Sequence, residues 1–203
     1  MKLILGCLVI LLMGCSLNKN QDPILQALDS NANSIKTVIA NLDDYEIQIK
    51  LSKIIKHNDS VTFKDYEFQI ADADYFYPAS SVKFPASILT LEKLNEETDF
   101  SIDTPFFVEG DTITTTFRKD IIDIFAVSSN DTYNRLFEFL GKDYINKKLE
   151  SKGLLGTRIS HRLSTSDANN LITKPLIFNK NDTSFVSTKS IINTPIKPLE
   201  LNK

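Results

Sequence analysis

Apolar positions along this chain change their spacing twice, and each change predicts a different element. Leu25, Leu28, Ala32, Ile35, Ile39 and Leu42 recur every three or four residues. That spacing puts them on one stripe and predicts a helix over Pro23 to Ala40 whose apolar face packs on a sheet. Tyr45, Ile47, Ile49 and Leu51 instead alternate with Glu46, Gln48 and Lys50, the period-two pattern of a strand with one buried face. Asn58-Asp59-Ser60 is a turn signal, and Val61, Phe63, Tyr66, Phe68 and Ile70 resume an extended character. Together the two runs predict a long antiparallel hairpin.

From Ser80 onward the helical period returns. Helices are predicted over 86–95, 120–127, 132–140 and 143–152, with Thr112 to Thr116 a β-branched connection. The polar run Ser128-Ser129-Asn130-Asp131 separates the second from the third, and Gly141 and Gly153 stand where helices end. Beyond Gly156 the residues Asn, Ser, Thr and Pro become frequent, and only short apolar pieces such as Leu176-Ile177-Phe178 remain. Residues 160–203 are therefore predicted to be mostly irregular. The order of helix, hairpin and helical block predicts an α/β fold.

Composition narrows the function classes. The 203 residues are 42% hydrophobic and 24% charged, enough for one domain with a true core, here assigned to 23–203. A net charge of -3 and the lack of a basic stripe argue against a nucleic-acid partner. No Cys/His cluster suggests a metal, and no cofactor is expected.

The first residues are a separate object. Lys2 is followed by an apolar stretch from Leu3 to Met13, too short to span a hydrocarbon core that needs about 20 residues. It fits the apolar region of a signal peptide. Leu12-Met13-Gly14-Cys15 resembles the lipobox of bacterial lipoproteins. That resemblance implies cleavage after residue 14, lipidation of Cys15, a short polar tether over 15–22, and an exported chain held on a membrane by its N-terminal lipid. Cleavage would also remove Cys7, so Cys15 would have no partner for a disulfide.

The sharpest chemical signal is Tyr77-Pro78-Ala79-Ser80-Ser81-Val82-Lys83-Phe84-Pro85. Ser80 and Lys83 form Ser-x-x-Lys at a helix start, and residues three apart on a helix share a face. A serine hydroxyl is a weak nucleophile until a neighbour takes its proton. A lysine can take it when burial lowers its pKa. Pro85 lacks an N–H and restricts Phe84, so the first turn is expected to be irregular or to begin late. Ser-x-x-Lys alone is a poor motif that occurs by chance in many proteins, most often as a capping serine beside a solvated lysine. The second segment, Ser128-Ser129-Asn130 with Asn134 after it, raises its weight.

Together these segments resemble the active-site signature of class A β-lactamases and penicillin-binding proteins: Ser-x-x-Lys, then Ser-Asp-Asn, then Lys-Thr-Gly. The resemblance runs from about Pro23 to Arg158. It implies a β-lactamase-like sandwich, an antiparallel sheet with a helical lobe. It implies a serine hydrolase in which Ser80 forms an acyl-enzyme on a β-lactam or a peptidoglycan-peptide-like amide, and Lys83 accepts a proton. Ser128 would relay that proton to the leaving nitrogen, and Asn130 would hold Lys83 and the substrate amide. Such a protein would act in β-lactam breakdown and antibiotic response.

The sequence departs from the family at three places. Ser129 stands where the lactamases carry Asp. The loop expected to supply a deacylating glutamate, Thr157 to Asp167, contains none; Asp167 is its only acid and His161 the only other candidate base. No Lys-Thr-Gly follows Asn130, and no later segment reads as the final strands of the sheet. These departures imply weak turnover, and leave a second reading open: a non-catalytic membrane-anchored lipoprotein that uses the remnant fold for binding.

Overall fold

The computed structural model describes residues 22–45, 47–70, 75–181 and 184–195. The signal-like segment and Cys15 lie outside the described residues. The chain divides into two compact units, Met1–Asp74 and Tyr75–Lys203.

In the first unit the single helix predicted over 23–40 is instead three short ones: α1 (Pro23–Leu28), α2 (Asn33–Ile39) and α3 (Leu42–Tyr45). Asp22 caps α1 by accepting from Ile24 N at 2.8 Å. The break falls at Asp29-Ser30-Asn31, residues whose side chains compete with the helix for backbone groups; Ser30 Oγ accepts from Ala32 N at 3.2 Å. The predicted hairpin forms, β1 (Ile49–His57) against β2 (Ser60–Phe68), turning at Asn58 with φ of 50°. The buried face expected of it does not: Ile54 is 59% and Phe63 66% exposed. Among the described residues of this unit Ile24 alone is buried, on the helix α1 that packs against β2.

The second unit carries the core. A 3₁₀ turn at Ala79–Val82 leads into α4 (Lys83–Glu97), followed by β3 (Phe106–Val108), α5 (Phe117–Val127), α6 (Asn130–Leu140) and α7 (Lys142–Ser151). The four predicted helices are all present. The tail differs from the expectation of mostly irregular chain: β4 (Leu176–Asn181) and β5 (Ser184–Ser187) form an antiparallel hairpin. β4 also pairs with β3 in register Phe106↔Phe178.

Phenylalanines weld this sheet to the helices. Phe178 stacks on Phe100 with ring centroids 4.0 Å apart, and Phe117 lies 4.4 Å from Phe106 and 4.7 Å from Phe139. The unit is thus mixed α/β, with helices around a small antiparallel sheet. A buried ion pair fixes α5 to α6: the Arg135 guanidinium grips Asp120 through two bonds of 2.8 Å, and Thr115 Oγ1 donates to the same carboxylate. Asp120 is fully buried, and these donors supply the hydrogen bonds that a carboxylate removed from water needs. Gly141, at φ of 74°, turns the chain from α6 into α7. A Cβ there would approach Ile191 within 3.1 Å. Among the described residues no helix is long and apolar enough to cross a membrane.

Candidate active site

Ser80 sits in the 3₁₀ turn and Lys83 is the first residue of α4. The tight turn agrees with the irregular start that Pro85 predicts. Pro85 is the third residue of α4, where no intrahelical bond is asked of its nitrogen. The neighbouring serine, Ser81, is occupied: its hydroxyl donates to Pro78 O at 2.6 Å. Ser80 is exposed, and the residue before it, Ala79, takes a left-handed φ of 46°. Such backbone costs a non-glycine residue of order 1 kcal/mol, and it collects at sites where geometry serves chemistry.

Lys83 is only 2% exposed. Its Nζ lies 3.3 Å from Ser80 Oγ and 3.0 Å from Ser128 Oγ, and it also donates to the Ser128 carbonyl. All three partners are neutral oxygens. Burial therefore pushes the Lys83 pKa below its ordinary value, because nothing beside it repays the desolvation of the charge. A neutral amine suits the three contacts, accepting from Ser80 and donating twice to Ser128.

Ser128 is delivered by the end of α5, as its C-cap, with φ of 54° and its N–H donating to Ile124 O at 2.9 Å. The Asp120–Arg135 pair holds the two helices between which this turn is slung. Ser129 then caps α6, accepting from Thr132 N at 3.4 Å. Serine and aspartate serve about equally well as N-caps, which accounts for a serine at this position.

Sequence reasoning therefore brings together three residues that do meet: Ser80, Lys83 and Ser128. Asn130 is different. Its Nδ2 donates to Ser164 Oγ at 2.8 Å, so the amide is turned toward the loop after α7 and not toward Lys83, whose contacts are made by the two serines.

That loop, residues 158–175, is pinned by residues the sequence reading did not single out as functional. Asn134 on α6 donates to Leu163 O at 2.8 Å and accepts from Leu163 N at 2.7 Å. Asn146 on α7 treats Ile159 the same way, at 2.7 and 2.9 Å. Arg162 is buried, paired with Glu138, and donates to Asn170 O at 2.8 Å and Ile172 O at 3.0 Å. The hint in the sequence is that Asn134 and Asn146 stand inside helices, where asparagine is a poor helix former.

The two candidate bases of this loop fare differently. The Thr165 hydroxyl and then the Lys174 ammonium hold the Asp167 carboxyl below the usual carboxylate range. It belongs to a separate cleft lined also by Glu109, Asp111 and Lys174. His161 instead lines a cavity of about 50 Å³ together with Tyr77, Ala79, Val82, Tyr133 and Leu163. Among the described residues no carboxylate contributes to that lining. Among the described residues no group of three His, Cys, Asp or Glu is placed to hold a metal ion.

Comparison with known proteins now adds one decisive match. The family model described as "Beta-lactamase enzyme family" covers residues 32–193. The chain belongs to the beta-lactamase enzyme family. No curated protein and no solved structure gives a significant match. The family match takes in both serine segments and the loop after α7, so the Ser80–Lys83–Ser128 cluster lies within a β-lactamase-family domain. At that level the protein is a β-lactamase-like serine hydrolase of α/β fold.

Proposed function

We propose that this β-lactamase-family chain forms an acyl-enzyme through Ser80 on a β-lactam or a peptide-like amide. The observation that carries the reading is the buried Lys83 Nζ, held between Ser80 Oγ at 3.3 Å and Ser128 Oγ at 3.0 Å. In this mechanism neutral Lys83 takes the Ser80 proton as Oγ adds to the carbonyl carbon. The tetrahedral intermediate collapses by breaking the C–N bond. Lys83 passes the proton through the Ser128 hydroxyl to the leaving nitrogen, which restores both groups. No metal or cofactor is invoked.

A serine cluster that served only as a binding surface would gain nothing from sinking an ammonium among neutral oxygens, so catalysis is favoured over the non-catalytic reading. The loop after α7 places no carboxylate in the cavity beside Ala79 and Val82, which supports slow turnover. The lipobox-like segment ending at Cys15 supports export and attachment to a bacterial membrane through an N-terminal lipid. A cell-based labelling with a fatty-acid probe should be lost in Cys15→Ser.

The central test is covalent trapping. The full chain incubated with a fluorescent penicillin should carry label through denaturing electrophoresis, and Ser80→Ala should carry none. An unlabelled wild type would overturn the reading. The pH dependence follows from Lys83. The neutral amine is the active form, so labelling rate should rise with pH as one proton is lost. The midpoint should lie below the ordinary lysine value of 10.5, because burial disfavours the ammonium. A flat profile, or a midpoint at or above that value, would remove Lys83 as the base.

A further inference from the structure

Acylation is only half of a hydrolytic cycle, and Lys83 and Ser128 are committed to the leaving-group side. Hydrolysis of the Ser80 ester needs a second base, for a water. On the 158–175 loop Asp167 is tied to Thr165 and Lys174 and lines a different cleft. His161 is otherwise placed. Its Nδ1 lies 2.6 Å from the Arg162 carbonyl. A carbonyl can only accept, so Nδ1 carries the hydrogen and the lone pair of the neutral ring is on Nε2. The ring lines a cavity that is also lined by Ala79 and Val82, the first and last residues of the turn that carries Ser80. At about 50 Å³ that cavity can hold a water, and Tyr133, which also lines it, donates its hydroxyl to His161 O at 3.2 Å.

We propose that His161 is the general base for deacylation, its imidazole Nε2 drawing a proton from a water in the cavity beside Ser80. The proposal rests on the acyl-enzyme reading above and supplies its second half. Water oxygen adds to the ester carbonyl carbon as its proton passes to Nε2. Collapse of that intermediate breaks the bond between the carbonyl carbon and Ser80 Oγ, and the proton held on the imidazole passes to Oγ. A carboxylic acid and free Ser80 result, with water as the only co-reactant. The anchoring by Asn134, Asn146 and Arg162 gives the loop the rigidity that a base on a loop requires.

The test follows acyl-enzyme decay after removal of excess fluorescent penicillin, using the full chain. His161→Asn keeps an N–H at the position of Nδ1 for the Arg162 carbonyl while removing the base. It should acylate as wild type does and lose label about a hundredfold more slowly, within the range general bases contribute. His161→Ala should decay as slowly and be accelerated by added imidazole, a response that a merely structural role would not give. Label that forms normally but decays at the same rate in wild type and His161→Asn overturns this proposal alone. So does slow decay in His161→Ala that imidazole leaves unchanged. A wild type that never takes label overturns the acyl-enzyme reading and this one with it.

Discussion

Phe106, Phe117 and Phe178 in one unit and Phe63 in the other are the same side chain in opposite circumstances. The first three are fully buried in a shared cluster, whereas Phe63 is 66% exposed on a two-stranded hairpin. The hairpin is held by its nine-residue strands' backbone ladder and by surface pairs such as Lys50 with Asp65 and Glu67. Surface pairs of this kind contribute little, and a lone hairpin is marginal in water. The 75–203 unit instead combines a continuous apolar core with two buried arginine–carboxylate pairs. The comparison teaches where the candidate site is anchored: Ser80 on the 3₁₀ turn, Lys83 on α4, Ser128 at the end of α5 and the anchors on α6, α7 and the loop after α7 all belong to the cored unit.

Three substitutions would break or sharpen that contrast. Asp120→Ala leaves the Arg135 charge buried without its partner and unties α5 from α6, at a cost of about 3–5 kcal/mol. A denaturant titration should show the loss, and penicillin labelling should fall with it as Ser128 loses its support. Asn134→Ala strands the N–H and C=O of Leu163, and should cost about 1–3 kcal/mol. Limited proteolysis should then cut within 158–175. Phe63→Ala removes an exposed ring and should change stability by no more than about 0.5 kcal/mol. Were Phe63→Ala to cost as much as Asp120→Ala, the division into a cored unit and an exposed hairpin would be wrong.

How legible this was differs by element. α4 to α7 announce themselves through local periodicity and through capping residues, Ser129 and Gly141 among them. The meeting of Ser80, Lys83 and Ser128 was legible because two short motifs each carry a fixed local geometry. The sheet of the second unit was not. β3 has three residues, and its partner Phe178 lies far along the chain from Phe106, so no local period reports the pairing. The break in the predicted 23–40 helix was written in Asp29-Ser30-Asn31 but was outweighed by the apolar stripe. Asn130 differs again: its amide donates to Ser164, a long-range partner that no motif names.

The crowding of Lys83 by uncharged oxygens has a consequence for what this position can tolerate. An arginine would preserve the positive charge and bring more donors, so by the usual measures of similarity it is the gentlest replacement. Yet a guanidinium stays protonated at any pH a protein survives, and under the proposed mechanism it would leave the neighbouring alcohol inert. What the site asks of residue 83 is readiness to become uncharged, a property that no alignment of like charges would preserve.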